Sequence, residues 1–200
     1  ILKCVGEKSH IVKYNDIEEL ECTIRKYKDQ IACLVIDPIP AIESGPAIDF
    51  LVAAREISTK NGIILIFDEV FTGFRYHKAG VQKMVNVVPD LSCFSKAMGN
   101  GLPIAALVGK KEIMSKFGDV YFSITAAGET LSLAAAKAVL LFFDQHDVIG
   151  QIDQSGKKLR EGLIVLLAKY GLSSRIEVKG SNARFGIYFI DDGVSDQSQD

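Results

Sequence analysis

The sequence predicts an α/β fold with a mostly parallel sheet, and three observations carry the prediction. Residues 32–36 (ACLVI) and 63–67 (IILIF) are apolar at every position, as strands covered on both faces are. The stretches that flank them repeat apolar residues at helical spacing. Each apolar run ends on an aspartate, Asp37 or Asp68, where the chain would leave the core. Apolar strands alternating with amphipathic helices are the pattern of a parallel sheet with helices packed on its faces.

The elements follow in order. Asn15-Asp16 can cap a helix over residues 17–28, whose Ile17, Leu20, Ile24 and Tyr27 share one face. The first apolar run stops at Asp37-Pro38. Residues 46–60 read as a helix with Phe50, Leu51, Ala54 and Ile57 on one side, ended by Asn61-Gly62. The second apolar run leads into Asp68-Glu69. Residues 90–94 look like a further strand entering a core, and Gly99-Asn100-Gly101 like a tight turn. Residues 129–145 and 148–170 are two long helical segments broken near His146-Asp147, the second stopped by Gly171. Residues 175–179 and 184–190 alternate like strands of a separate small sheet. The boundary falls near residues 143–150: residues 1–145 read as part of a large domain, and residues 146–200 as an interdomain helix and the start of a small α+β domain. The GLIVLLA stretch, residues 162–168, reads as a buried helix face, and the last nine residues as a polar loop or frayed end.

Composition bounds the function. Of 200 residues 48% are hydrophobic and 24% charged, which is ordinary for a globular protein. A net charge of -2 with scattered Lys and Arg offers no basic stripe for nucleic acid. No apolar run nears the roughly 20 residues of a membrane-spanning helix. Cys4, Cys22, Cys33 and Cys93 form no CxxC pair and read as reduced, buried thiols of a cytoplasmic protein. His10, His77 and His146 lack metal-ligand spacing and read as surface or capping residues. A chain that opens on Ile1 suggests processing or a piece of something longer.

The chemistry-bearing residues cluster at strand ends. Asp37, Asp68 and the Ser95-Lys96 pair all fall near the carboxyl ends of predicted strands, where ligands bind in open parallel sheets. Spacing alone fits a catalytic site and a simple salt bridge equally. A sheet-edge lysine suits covalent chemistry on carbonyls, because desolvation and neighbouring cations favour the free amine in such places. Small neighbours (Ser95, Ala97, Gly99 and Gly101) would leave room for something flat and bulky.

GIILIFDEVFTGFR (62–75) followed by PDLSCFSKAMGNGLPIAALVG (89–109) resembles the class III aminotransferases, pyridoxal-phosphate (PLP) enzymes of fold type I. The nearest branch is the one containing glutamate-1-semialdehyde aminomutase, since TGFR, the PDL step and the GLP turn stand together in order. The resemblance implies that Asp68 pairs with the protonated pyridine nitrogen of the cofactor, keeping the ring a good electron sink. It implies that Lys96 is the Schiff-base lysine and proton shuttle, and that Val70 packs on one ring face, although a plain core valine would look identical. Thr125, in YFSITAAGETLSLAAA, resembles a threonine that contacts the cofactor phosphate from the neighbouring subunit of a homodimer. The other reading of Thr125 is a hydroxyl at a helix N-terminus.

Asp37-Pro38 stands where the family has Glu-Pro, in an orienting role. Gln82 fits either an active-site glutamine or helix surface, and Arg75 fits a loop-holding ion pair. The family's Gly/Ser phosphate loop and second ring-stacking aromatic are not found ahead of Tyr14, so the chain resembles the middle of such an enzyme. The implied function is transfer of an amino group from a small-molecule donor to a carbonyl acceptor. The alternatives are an aminomutase or other PLP enzyme, and a non-catalytic relative acting as a binding subunit.

Overall fold

The computed structural model describes residues 6–121 and 125–190. Helix α1 is Ile17–Lys26, opened by Asp16, whose Oδ1 accepts the Glu19 N–H at 2.9 Å. It buries Leu20 and Ile24 and ends at Lys26, two residues short of the expected bound at residue 28, because the Tyr27 backbone departs from helical dihedrals. Helix α2 is Ile48–Asn61 and closes on Gly62 at φ 66°, a left-handed cap that glycine adopts without steric cost. Its buried residues are Phe50, Leu51, Ala54 and Ser58, so Ser58 takes the core position that the apolar spacing assigns to Ile57. Before α2, the Tyr14 hydroxyl donates to the Pro38 carbonyl (2.8 Å) and accepts the Ala47 N–H (3.1 Å), tying both ends of the intervening loop.

The main sheet has the order β1-β2-β3-β4, with β1 Cys33–Ile36, β2 Ile64–Asp68, β3 Leu91–Phe94 and β4 Ala106–Gly109. The first three strands are parallel and β4 runs antiparallel to β3. A short helix α3, Val81–Val85, lies between β2 and β3, and another, α4, Lys111–Met114, follows β4. Leu65 and Phe67 of β2 are fully buried, while Ile64 and Ile66 are only half-buried. Burial thus alternates along β2 rather than covering both faces. Val35 of β1, the outermost of the four described strands, is exposed. The expectation of buried thiols fails for the described cysteines: Cys22 and Cys33 are exposed and Cys93 is half-buried.

Helices α5 (Thr130–Gln145) and α6 (Val148–Lys169) meet at the predicted break. His146 is extended and closes α5, and Asp147 opens α6 by accepting the Gly150 N–H at 3.0 Å. Strands β5 (Ile176–Gly180) and β6 (Phe185–Phe189) form an antiparallel pair. The chain divides into two compact units, one formed by the residues up to Pro38 with Pro46–His146, the other by Ile39–Gly45 with the residues from Asp147 on. In the second, Arg184 Nη1 donates to the Ile39 carbonyl (3.3 Å) and Asn182 Nδ2 to Asp153 Oδ1 (2.9 Å). The buried face expected over residues 162–168 is not found. No residue of α6 is buried, and Val165 is 66% exposed. An apolar run has helical form by its own spacing, but its burial requires a surface packed against it. No helix among the described residues is long and apolar enough to cross a membrane. The last nine residues lie outside the described part.

Asp90, just ahead of β3, fixes the entering end of the sheet. Its Oδ2 accepts the Leu65 N–H of β2 (2.7 Å) and Arg55 Nη1 of α2 (2.9 Å), and its Oδ1 accepts Lys110 Nζ beyond β4 (2.6 Å). The side chain is 8% exposed. Burial pushes this carboxyl up, but the hydrogen bonds from Lys110, Leu65 and Arg55, with the Arg55 charge, outweigh it and hold the group below its ordinary 3.8. A depressed carboxylate contributes stability above its unfolded value, and that contribution is lost as pH falls through the folded value. Asp90→Asn is therefore expected to cost roughly 3 kcal/mol in urea unfolding at pH 7. The gap between the two proteins should hold down to about pH 5 and close below pH 3.8; a gap that widened on acidification would contradict this.

Candidate active site

The parallel pairing of β2 with β3 sets Asp68 opposite Cys93. Asp68 is the last residue of β2 rather than the first beyond it, and its carboxylate is exposed. Its Oδ1 accepts the N–H of half-buried Val70 at 3.0 Å, which starts the turn away from the sheet. Burial and then the Asp68 charge push the Cys93 thiol above its ordinary 9.0, so Cys93 stays a neutral thiol at physiological pH.

Glu69, which stands in the sequence only as a polar residue after an apolar strand, is fully buried. Its Oε2 accepts the Thr72 hydroxyl (2.5 Å) and its Oε1 the Gln82 N–H (3.1 Å). Gly80, at φ 79°, passes so close that a Cβ there would stand 2.5 Å from Glu69 Oε1. Gly73 donates its N–H to the Glu69 carbonyl (2.8 Å), and a Cβ on it would meet the Phe94 ring at 2.5 Å. Phe74 then packs edge-on against Phe94 and Phe143. The TGFR segment is thus folded around a buried carboxylate. The only signal in the sequence was a polar residue directly after an apolar strand. Gln82 is half-buried, and its side chain donates to Ser92 Oγ of β3 at 3.3 Å. Arg75 Nη1 donates to the Phe71 carbonyl at 2.9 Å, so it holds its loop through a backbone acceptor.

Lys96 lies two residues past β3 and starts a 3-10 turn, Lys96–Met98. Ser95 turns the chain inward by donating its hydroxyl to the Ile104 carbonyl at 2.7 Å. Lys96 has φ 45° and Asn100 φ 46°, left-handed values that are costly for a residue with a β-carbon. The Asn100 N–H returns to the Lys96 carbonyl at 2.9 Å, and a Cβ on buried Gly99 would run into Ile104. The Lys96 side chain is exposed, with Nζ 3.2 Å from the centroid of the Phe71 ring. Phe71 is three residues beyond Asp68, so strand pairing and this ring contact bring the two predicted segments to one edge of the sheet. Thr125 is exposed and does not cap the next helix. That position belongs to Glu129, whose carboxylate accepts the Leu131 and Ser132 N–H groups at 2.8 and 2.7 Å. Ile124, beside Thr125, lies outside the described residues. His10 stacks on Tyr27, His77 Nδ1 accepts the Ala79 N–H, and no metal-binding cluster occurs among the described residues.

The mostly parallel sheet with helices packed on it is that of PLP-dependent transferases of fold type I, and the solved structures it matches include transaminases. Residues 5–194 match the family Aminotransferase class-III, and the chain belongs to it. It is 35% identical over 196 residues to the glutamate-1-semialdehyde 2,1-aminomutase of Opitutus terrae, covering 96% of this chain and 46% of that protein. It is 39% identical over 194 residues to the enzyme of the same name from Methanosphaera stadtmanae, covering 93% and 44%. Its fold matches the FumI protein of Sphingopyxis sp. MTA144 in its PLP internal aldimine form, with TM-score 0.84, 26% identity and coverage of 92% and 45%. It likewise matches an omega-transaminase from Sphaerobacter thermophilus, with TM-score 0.76, 28% identity and coverage of 96% and 44%. The chain spans less than half the length of these relatives.

Two outcomes test the local architecture. Lys96→Gly should be about 1 kcal/mol more stable than Lys96→Ala, because both delete the amine and only glycine relieves the left-handed strain. Equal unfolding midpoints would contradict the strained turn. Thr72→Val, which keeps the shape and deletes the donor to Glu69 Oε2, should cost about 1–3 kcal/mol in the same measurement.

Proposed function

We propose that this chain forms the centre of a PLP-dependent aminotransferase that moves an amino group between a small-molecule amino donor and an aldehyde or ketone acceptor, with Lys96 and Asp68 as its catalytic pair. The observation that carries the reading is the departure of Asp68 and Lys96 from neighbouring parallel strands at one sheet edge. The donor set fits the cofactor. The exposed amine suits its aldehyde and the exposed carboxylate suits its pyridine nitrogen.

Pyridoxal phosphate supplies, when bound, a carbonyl that takes up amines and a ring that accepts the electrons of a carbanion. Asp68 would hold a proton on the ring nitrogen by pairing with it through its carboxylate. Lys96 would anchor the group through Nζ and, once displaced by the donor, carry the proton to and from the substrate Cα. Val70 would pack its isopropyl group on one ring face. Thr125 Oγ1 would donate to the phosphate across the interface of a homodimer. Neutral Cys93, opposite Asp68, adds no competing charge beside that carboxylate. A cytoplasmic location accords with cysteines that carry no disulfide spacing.

The aminomutase reading is favoured by a separate observation: the curated relatives cited above are glutamate-1-semialdehyde 2,1-aminomutases. A transaminase requires a separate donor and acceptor, whereas an aminomutase converts a single amino aldehyde without a second substrate.

The intact protein incubated with pyridoxal phosphate and then borohydride should carry one reduced adduct, located on Lys96 by peptide mass analysis and lost in Lys96→Ala. Asp68→Asn should keep the adduct and lower turnover on the order of 10²-fold, as loss of a preorganised charge does. An unlabelled Lys96 would sink the proposal, and a panel of single substrates and donor–acceptor pairs decides between the two reactions.

A further inference from the structure

We propose that Phe71 is a positioning residue for Lys96, a cation–π platform that holds the reactive amine at the sheet edge. The inference rests on the reading of Lys96 given above and assigns a role to the phenylalanine inside DEVFTGFR. Nζ stands 3.2 Å from the Phe71 ring centroid, well inside the roughly 6 Å over which a ring face attracts an ammonium. The platform is itself fixed. Arg75 Nη1 donates to the Phe71 carbonyl at 2.9 Å, and its guanidinium lies 5.4 Å from the same ring. Behind the loop, the buried Glu69 carboxylate accepts the Thr72 hydroxyl and sets where Phe71 leaves the strand.

An exposed lysine has four freely rotating side-chain bonds, and an unrestrained amine samples many positions far from any one carbonyl. The ring limits that search. The φ of 45° at Lys96 directs the start of the side chain and Phe71 receives its end, so both ends of a flexible group are restrained. The ring face offers Nζ no hydrogen bond, so the side chain can swing off it without breaking one.

The test uses the intact protein freed of pyridoxal phosphate, with lysine ε-carbons isotopically labelled. The Lys96 ε-protons, assigned by their loss in Lys96→Gln, should lie upfield of the other lysines because of the ring current. Phe71→Leu should return them to the ordinary position, and Phe71→Tyr, which keeps a ring face, should preserve the displacement. On mixing with pyridoxal phosphate, uptake by Phe71→Leu should be roughly two- to fivefold slower, the factor expected for an exposed cation–π contact, and Phe71→Tyr should restore it. Lys96 protons at the ordinary position in the unsubstituted protein, or an uptake rate unaffected by Phe71→Leu, would overturn the platform. Failure of borohydride labelling in the unsubstituted protein would instead overturn the PLP reading and leave the proton displacement standing.

Discussion

Three donors from three different elements converge on the Asp90 carboxylate, and the geometry at the far end of the sheet follows from that convergence. Leu65 presents a backbone N–H from β2, Arg55 a guanidinium from α2, and Lys110 an ammonium from beyond β4. A strand shifted by one residue would turn every side chain to the opposite face and leave this buried carboxylate short of a donor. The register is thereby fixed at the entering end. Three residues further along β2, roughly 10 Å at the rise of a strand, the same register delivers Asp68 opposite Cys93, with Lys96 shortly beyond. The proposed site inherits its precision from a carboxylate that takes no part in its chemistry.

Most of this frame is legible in the sequence, for physical reasons that differ by element. The parallel strands are readable because each is a short unbroken apolar run, although only alternate residues of β2 are buried, and α1 because Asp16 supplies its cap and Leu20 and Ile24 its buried stripe. Strand β4 escapes the reading because its four residues follow a Gly-Leu-Pro turn that reads as loop, and α3 because five residues hold too little periodicity. The apolar run in α6 misleads, since burial is a property of an element and its neighbours together. The two residues of the candidate site that went unread, Glu69 and Phe71, are defined by tertiary partners. Glu69 is a clamp only once Thr72 and Gln82 fold onto it, and Phe71 is a platform only when a lysine from the next strand lies over it.

The left-handed conformation of Lys96 belongs with these findings. Strain in a residue with a β-carbon persists only where its surroundings over-determine it. Here the surroundings are the Ser95 hydroxyl on Ile104, the Asn100 N–H on the Lys96 carbonyl, and the Phe71 ring against Nζ. The turn is held from before, from behind and from its tip.

The buried carboxylate of Glu69 also decides where this segment can vary. No β-carbon fits at Gly80, which faces the carboxylate at a positive φ, nor at Gly73, which lies against Phe94. Thr72 is enclosed with its hydroxyl committed. Phe71, between the strand and this packed knot, is 39% exposed and meets no such barrier. Packing therefore fixes positions 72, 73 and 80, whereas position 71 answers to its contacts with Lys96 and Arg75. The segment is rigid where it packs and chemically answerable at the side chain that lies against the amine.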